Sequence, residues 1–369
     1  MERYILLQAF QGENMSTRHN TDKLINIEEI REAAAARAQK FKEDIQASRK
    51  SSETDDPFDV FVYDPLAIRL TSLFIKMKWS PNAVTLSSLV FGVAGAVLLY
   101  PKSVHHPKNV LLNLLGIAFI IFAAVLDCSD GQVARLCHSG TPFGRVLDGA
   151  VDMANYLAIY LALGFRLAGE TIPITPTTDI RLSWYIWPVI VLSVACHASQ
   201  ARKADYYRGL HLYFLKGTND NFFARSKDLR QELAALPEGT SAFRKIYLKI
   251  YLLYTAVQEK GAKQTQHLLD KIDENGDIMP EGLADRYIRE SRKVIQVTNT
   301  LGFNLRTYIL FLLLLFGKEI FWFLFVCIVL EGLKYAMMAR YETVAGRISA
   351  EFFPEDAERS GRRKGGNGR

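Results

Sequence analysis

Long apolar blocks alternate with charged stretches along this chain, and its 49% hydrophobic content lies in runs rather than in short amphipathic stripes. Six blocks read as membrane spans, near 83–100, 110–126, 146–163, 184–201, 301–316 and 320–339. A bilayer leaves only helices and closed barrels able to satisfy their own backbone, and blocks of this length favour helices. The pattern therefore predicts an all-α, multi-pass membrane protein with about six transmembrane helices. Ahead of the first block, Leu66, Leu70, Leu73, Phe74 and Met77 share one helical face, with Asp64 placed to cap the helix and Pro65 in its first turn. Trp79 and the basic residues around it suit an amphipathic helix lying in the interface.

The charged stretches set the boundaries. Residues 1–56 form a polar, partly helical extension, and 57–204 hold the interfacial helix and the first four spans. Residues 205–300 are charged and periodic, with turn signals at Pro237, Gly239, Gly276 and Pro280, and predict a long cytosolic helical insertion. The last two spans fall in 301–345, and 346–369 is a basic tail with the composition of a disordered segment. Lys and Arg concentrate in both termini and after Arg202, which places these on the cytoplasmic side.

The formal net charge of +6 fits a protein leaning on an anionic leaflet. A nucleic-acid ligand is not expected, because no recognition motif or aromatic-basic platform accompanies that charge. Met1 to Phe10 lacks the cleavage-type end of a leader. Cys128, Cys137, Cys196 and Cys327 show no C-x-x-C spacing and read as reduced packing residues.

The candidate chemistry sits at the end of the second span. Asp127 and Asp130 are three residues apart and Asp148 and Asp152 four apart, so each pair projects from one face of its helix. Carboxylates at such depth are costly unless they face a polar cavity, pair, or hold a cation. Four neighbouring carboxylates would repel one another and any anionic substrate, so the cluster makes chemical sense with a metal, and oxygen ligands favour Mg²⁺ or Mn²⁺. A proton or ion relay would instead need acids spread across the bilayer, and a non-catalytic scaffold would not need them intact.

Asp127, Asp130, Gly131, Ala134, Arg135, Gly144, Asp148 and Asp152 meet the spacing D-x2-D-G-x2-A-R-x8-G-x3-D-x3-D at every fixed position. This resembles the signature of the CDP-alcohol phosphotransferase family of membrane enzymes in phospholipid synthesis. Pro81-Asn82-Ala83-Val84-Thr85 resembles the start of that family's first membrane helix. The resemblance implies metal ligation by Asp127, Asp130, Asp148 and Asp152, with two Mg²⁺ or Mn²⁺ ions. It implies a general-base role for Asp152, and contacts to the CDP moiety from Asn82, Thr85, Gly131, Ala134, Arg135 and Gly144.

The implied reaction moves the phosphatidyl group of CDP-diacylglycerol to a small polar alcohol and releases CMP, in a homodimer with its active site on the cytoplasmic side. Late-helix cations hold the acceptor phosphate in the inositol-phosphate-using branch, which points to Arg202, Lys203, Lys334 and Arg340 and to inositol phosphate ahead of glycerol 3-phosphate. For Arg202, Lys203 and Arg208 positive-inside flanking charge is the simpler explanation. The alternative reaction moves phosphocholine or phosphoethanolamine from a CDP-aminoalcohol to a lipid alcohol.

Overall fold

The computed structural model describes residues 43, 54, 56–101, 107–175, 178–217, 223–276 and 278–354. The chain divides into units 1–47 and 48–369; of the first only Glu43 is described, so most of the expected N-terminal extension and the end of the basic tail lie outside the described residues.

In the second unit a π-helical turn, Asp59–Tyr63, leads into α1, Asp64–Lys76, followed by α2, Pro81–Leu99, α3, Pro107–Leu136, and α4, Pro142–Ala168. After a short hairpin come α5, Ile186–Lys216, α6, Ser226–Ala234, α7, Ala242–Glu259, α8, Lys263–Glu274, α9, Leu283–Thr300, and α10, Phe303–Leu315. The last helix, α11, runs Ile320–Phe352 with a π-helical segment at Phe325–Leu330. The all-helical expectation thus holds apart from the antiparallel hairpin of β1, Thr171–Thr175, and β2, Thr178–Arg181.

Five helical stretches are long and apolar enough to cross a membrane: Pro81–Leu99, Lys108–Leu136, Val146–Ala168, Leu283–Leu315 and Ile320–Phe352. The expected span at 184–201 falls in α5 from Ile186 onward but is not among the five. Val191 and Leu192 on that helix are exposed, whereas Ser193, His197, Gln200 and Lys203 are buried. A helix that turns polar side chains into the bundle and apolar ones outward loses average hydropathy without losing its place.

Asp64 does not cap α1, because the chain enters from the preceding π-helical turn and Tyr63 takes the N-cap position. Asp64 instead accepts a hydrogen bond from Gln132 Nε2 on α3 at 3.2 Å. The expected apolar stripe of α1 divides: Phe74 is buried with Ala67, Ile68 and Thr71, while Leu66, Leu73 and Met77 are exposed, on the side available to lipid.

Close approach of α2 and α3 rests on two glycines. A Cβ on Gly116 would lie 2.8 Å from the Gly95 carbonyl oxygen, and one on Gly95 would lie 2.9 Å from that of Gly116. At the opposite end from the acids, the buried Arg166 of α4 donates through Nε to Glu319 at 2.6 Å. Its Nη1 donates to Leu99 O at 2.8 Å and Asn113 Oδ1 at 3.1 Å, tying α2, α3 and α4 to the turn before α11.

The insertion shares a core with the membrane helices. Tyr207 of α5 stacks on Tyr341 of α11 with ring centroids 4.2 Å apart, and Phe214 stacks on Tyr287 of α9 at 4.0 Å. Glu342 of α11 accepts from the backbone N–H groups of Gln264 and Thr265 at 2.6 and 3.3 Å, satisfying donors at the start of α8.

Candidate metal and nucleotide site

The acids reach one place because two long helices end there. α3 ends just beyond Arg135, where His138 adopts a left-handed backbone at φ 50° and the chain reverses. Thr141 then caps α4, its hydroxyl accepting from Gly144 N–H at 2.9 Å, with Pro142 in the first turn. One carboxylate oxygen each from Asp127, Asp148 and Asp152 lies within 4.8 Å of the other two. Asp127 and Asp148 are half-buried and Asp152 is exposed.

Asp130 stands apart from this trio. It is buried, and its Oδ2 accepts a hydrogen bond from Thr85 Oγ1 at 2.5 Å. That bond brings the first turn of α2 to the motif, and Asn82 joins it: a Cβ on Gly144 would meet Asn82 Oδ1 at 3.2 Å. The two family-like stretches, far apart in sequence, therefore adjoin in space. The Arg135 guanidinium lies over Gly131, where a Cβ would come within 3.1 Å of its Nη1, and Ala134 is half-buried on the same helix end.

Residues between the motif's fixed positions fasten α3 to α1. Thr71 Oγ1 donates to Gln132 Oε1 at 3.0 Å, and Ser129 Oγ bonds to Ala67 O at 3.3 Å and Val125 O at 2.7 Å. Helix α1 is thereby hydrogen-bonded to the helix that carries Asp127 and Asp130.

A cavity of about 110 Å³ opens beside Asp127 and Asp152, lined also by Asp59, Tyr63, Asn155 and Tyr156. Asn155 Oδ1 and Asp127 Oδ1 are buried there without a hydrogen-bond partner. Asp59 accepts from Asn304 Nδ2 at 2.9 Å, yet burial and the nearby Asp56 and Asp64 push its carboxyl up to about 6. Behind Tyr156 lies the buried Arg306 of α10, 5.9 Å from the ring centroid, which donates to Gln200 Oε1 at 2.9 Å and Leu301 O at 3.1 Å. Its Nε is buried without a partner.

The four cations expected to hold an acceptor phosphate are placed differently, and none lines this cavity. Lys203 is buried and donates to Gln258 O at 2.6 Å and Lys260 O at 2.5 Å. Lys334 is buried against Ser199 Oγ at 3.0 Å and pairs with Glu331. Arg202 is half-buried and Arg340 exposed. Sequence reasoning missed Asp59, Asn155, Tyr156 and Arg306; the one available signal was a polar residue inside an apolar block, as at Asn155 and Arg306.

Residues 78–205 match the family model described as CDP-alcohol phosphatidyltransferase. A phosphatidylinositol phosphate synthase of Mycobacterium marinum is 33% identical over 27% of this chain and 37% of its own length. One of Corynebacterium glutamicum is 34% identical over 29% of this chain and 43% of its own. An uncharacterized protein of Aquifex aeolicus is 30% identical over 29% of this chain and 50% of its own. The chain thus spans half or less of the length of these curated relatives. No solved structure gives a significant match. Residues 78–205, which carry both family-like stretches and all four acids, form a domain of the CDP-alcohol phosphatidyltransferase family.

Proposed function

We propose that this chain transfers the phosphatidyl group of CDP-diacylglycerol to the hydroxyl of a small polar alcohol and releases CMP. The observation that carries this reading is the convergence of Asp127, Asp148 and Asp152 from two helices beside a cavity. The trio suits a divalent cation: three acceptor-only oxygens lie close together, and Asp127 Oδ1 is buried and unpartnered. Such hard oxygen ligands fit Mg²⁺ or Mn²⁺. Asp127, Asp148 and Asp152 would hold the ions, with Asp130 beside them. When bound, the metal neutralises pyrophosphate charge and stabilises the departing CMP.

Asp152, the exposed member, takes the proton of the acceptor hydroxyl as its oxygen bonds to the lipid-side phosphorus and the bond from that phosphorus to CMP breaks. Arg135 offers its planar fork to phosphate oxygens, and the small residues Gly131, Ala134 and Gly144 let the nucleotide approach the helix backbones. The Thr85 hydrogen bond holds Asp130 in a fixed rotamer.

The acceptor is a phosphorylated polyol, inositol phosphate first and glycerol 3-phosphate next. Relatives named phosphatidylinositol phosphate synthase support this, and the buried Arg306, its Nε unpartnered, stands behind the cavity-lining Tyr156 rather than in the lining itself. Lys203 and Lys334 would have to give up their present partners to take part. The cation distribution favours a cytoplasmic active site, and the family resemblance a homodimer. A panel assay of CMP release with inositol 1-phosphate, inositol, glycerol 3-phosphate, serine and ethanolamine tests the acceptor. Turnover should need a phosphorylated acceptor; equal rates with inositol or serine would reject it.

A further inference from the structure

The insertion holds a helix with two unlike apolar faces. In α7, Leu248 and Thr255 are buried towards the protein. Phe243, Ile246, Ile250, Leu253 and Val257 recur every three or four residues on the other side, and all are exposed, from 41% at Val257 to 69% at Phe243. A continuous stripe of this kind on a charged, water-facing domain marks a second partner.

Two observations identify that partner as lipid. The exposed Lys245 and Lys249 border one edge of the stripe, while Arg244 turns towards α6 and pairs with Glu232 at 3.5 Å, so the helix offers apolar side chains edged by cations, as an anionic leaflet requires. The C-terminal end of α7 is also fastened where α5 leaves its apolar block. Gln258 Nε2 donates to Arg202 O at 3.3 Å, and Lys203 Nζ donates to Gln258 O at 2.6 Å and Lys260 O at 2.5 Å. Residues 202 and 203 directly follow the apolar block at 184–201, so these bonds hold α7 at the level where the membrane surface begins. The buried ammonium of Lys203 thereby anchors the end of α7 through two carbonyls.

We infer that α7 is an interfacial helix that lies on the anionic leaflet of the membrane its own bundle crosses, with Phe243, Ile246, Ile250, Leu253 and Val257 inserted among the lipids. The insertion is then attached to the bilayer at two places, through the bundle and through α7. This holds whichever acceptor the enzyme uses.

The test uses full-length protein in vesicles of phosphatidylcholine with phosphatidylglycerol. Spin labels are placed at Ile250→Cys or Leu253→Cys in a Cys137→Ser background, since Cys137 is the exposed native cysteine among the described residues. A control label at Asp285→Cys on α9, near the Tyr287–Phe214 stack and far along α5 from Arg202, reports a water-facing site. Labels at 250 and 253 should be open to oxygen but shielded from a water-soluble nickel chelate, at a depth of ~5–10 Å below the headgroups. The control should remain open to the chelate, and Lys245→Glu with Lys249→Glu should move the labels towards water. Labels open to the chelate in the vesicles would overturn the proposal. So would labels shielded from both reagents, or broadened by a label on a second copy, since the occupant would then be protein.

Discussion

Asp152 differs from its two neighbours by being exposed, and this gives its substitution a distinct signature. Asp152→Asn should cost ~10²–10⁴-fold in the rate of CMP release while Mn²⁺ binding, followed by electron paramagnetic resonance, is largely kept. Asp127→Asn should lower both, and unchanged turnover in the two variants would reject the assignment. A second residue-scale prediction concerns Asp59, whose carboxyl is raised to about 6, chiefly by burial. A raised carboxyl favours the folded state when protonated. Its contribution is complete below the unfolded value of about 4 and is lost as pH rises through about 6. In metal-free buffer the thermal midpoint should therefore fall across that window, and Asp59→Asn should flatten the fall; an unaltered profile would contradict it. Asp127 to Asp152 were legible because their identities and offsets are local. Asp59 and Asn155 were not, because they meet at the cavity only through the crossing of separate elements, and Arg306 stands behind Tyr156, outside the lining.

Between elements, two contacts decide how the helices meet. Gly116→Val would drive a side chain against the Gly95 carbonyl, which cannot rotate away, so we expect a loss of ~1–3 kcal/mol in stability and a lower thermal midpoint. The Arg166–Glu319 pair is buried at both ends, at 0% and 1% exposure, so removing one partner leaves an uncompensated charge. Glu319→Leu alone should cost ~3–5 kcal/mol, and adding Arg166→Met should restore much of it. A double-mutant thermal-unfolding cycle measures both, and equal single and double losses would refute the coupling. Hydropathy revealed the helices but not these contacts. It also undervalued α5, whose inward Ser193, His197 and Gln200 lower its apolar average while serving the bundle. The cap expected from Asp64 failed for a related reason: a preceding π-helical turn occupied the position, leaving the carboxylate to bond Gln132.

Across the whole molecule, residues 205–300 read in sequence as a cytosolic helical insertion; α5 runs into it without a break from Ile186 to Lys216, and its α8 and α9 pack on α11. Composition registers the change in solvent along a chain; it carries no information on which distant rings stack, as Tyr207 and Tyr341 do. The clustering of the trio within 4.8 Å, rather than a ladder of acids through the bundle, favours group transfer over ion transport. The decisive experiment follows CMP release from CDP-diacylglycerol, with inositol 1-phosphate as acceptor, as free Mg²⁺ or Mn²⁺ is varied. We expect no release in chelator, saturable recovery with either ion, and little recovery in Asp127→Asn. Full release in chelator, or an unaltered metal response in Asp127→Asn, would contradict metal-dependent transfer at this cluster.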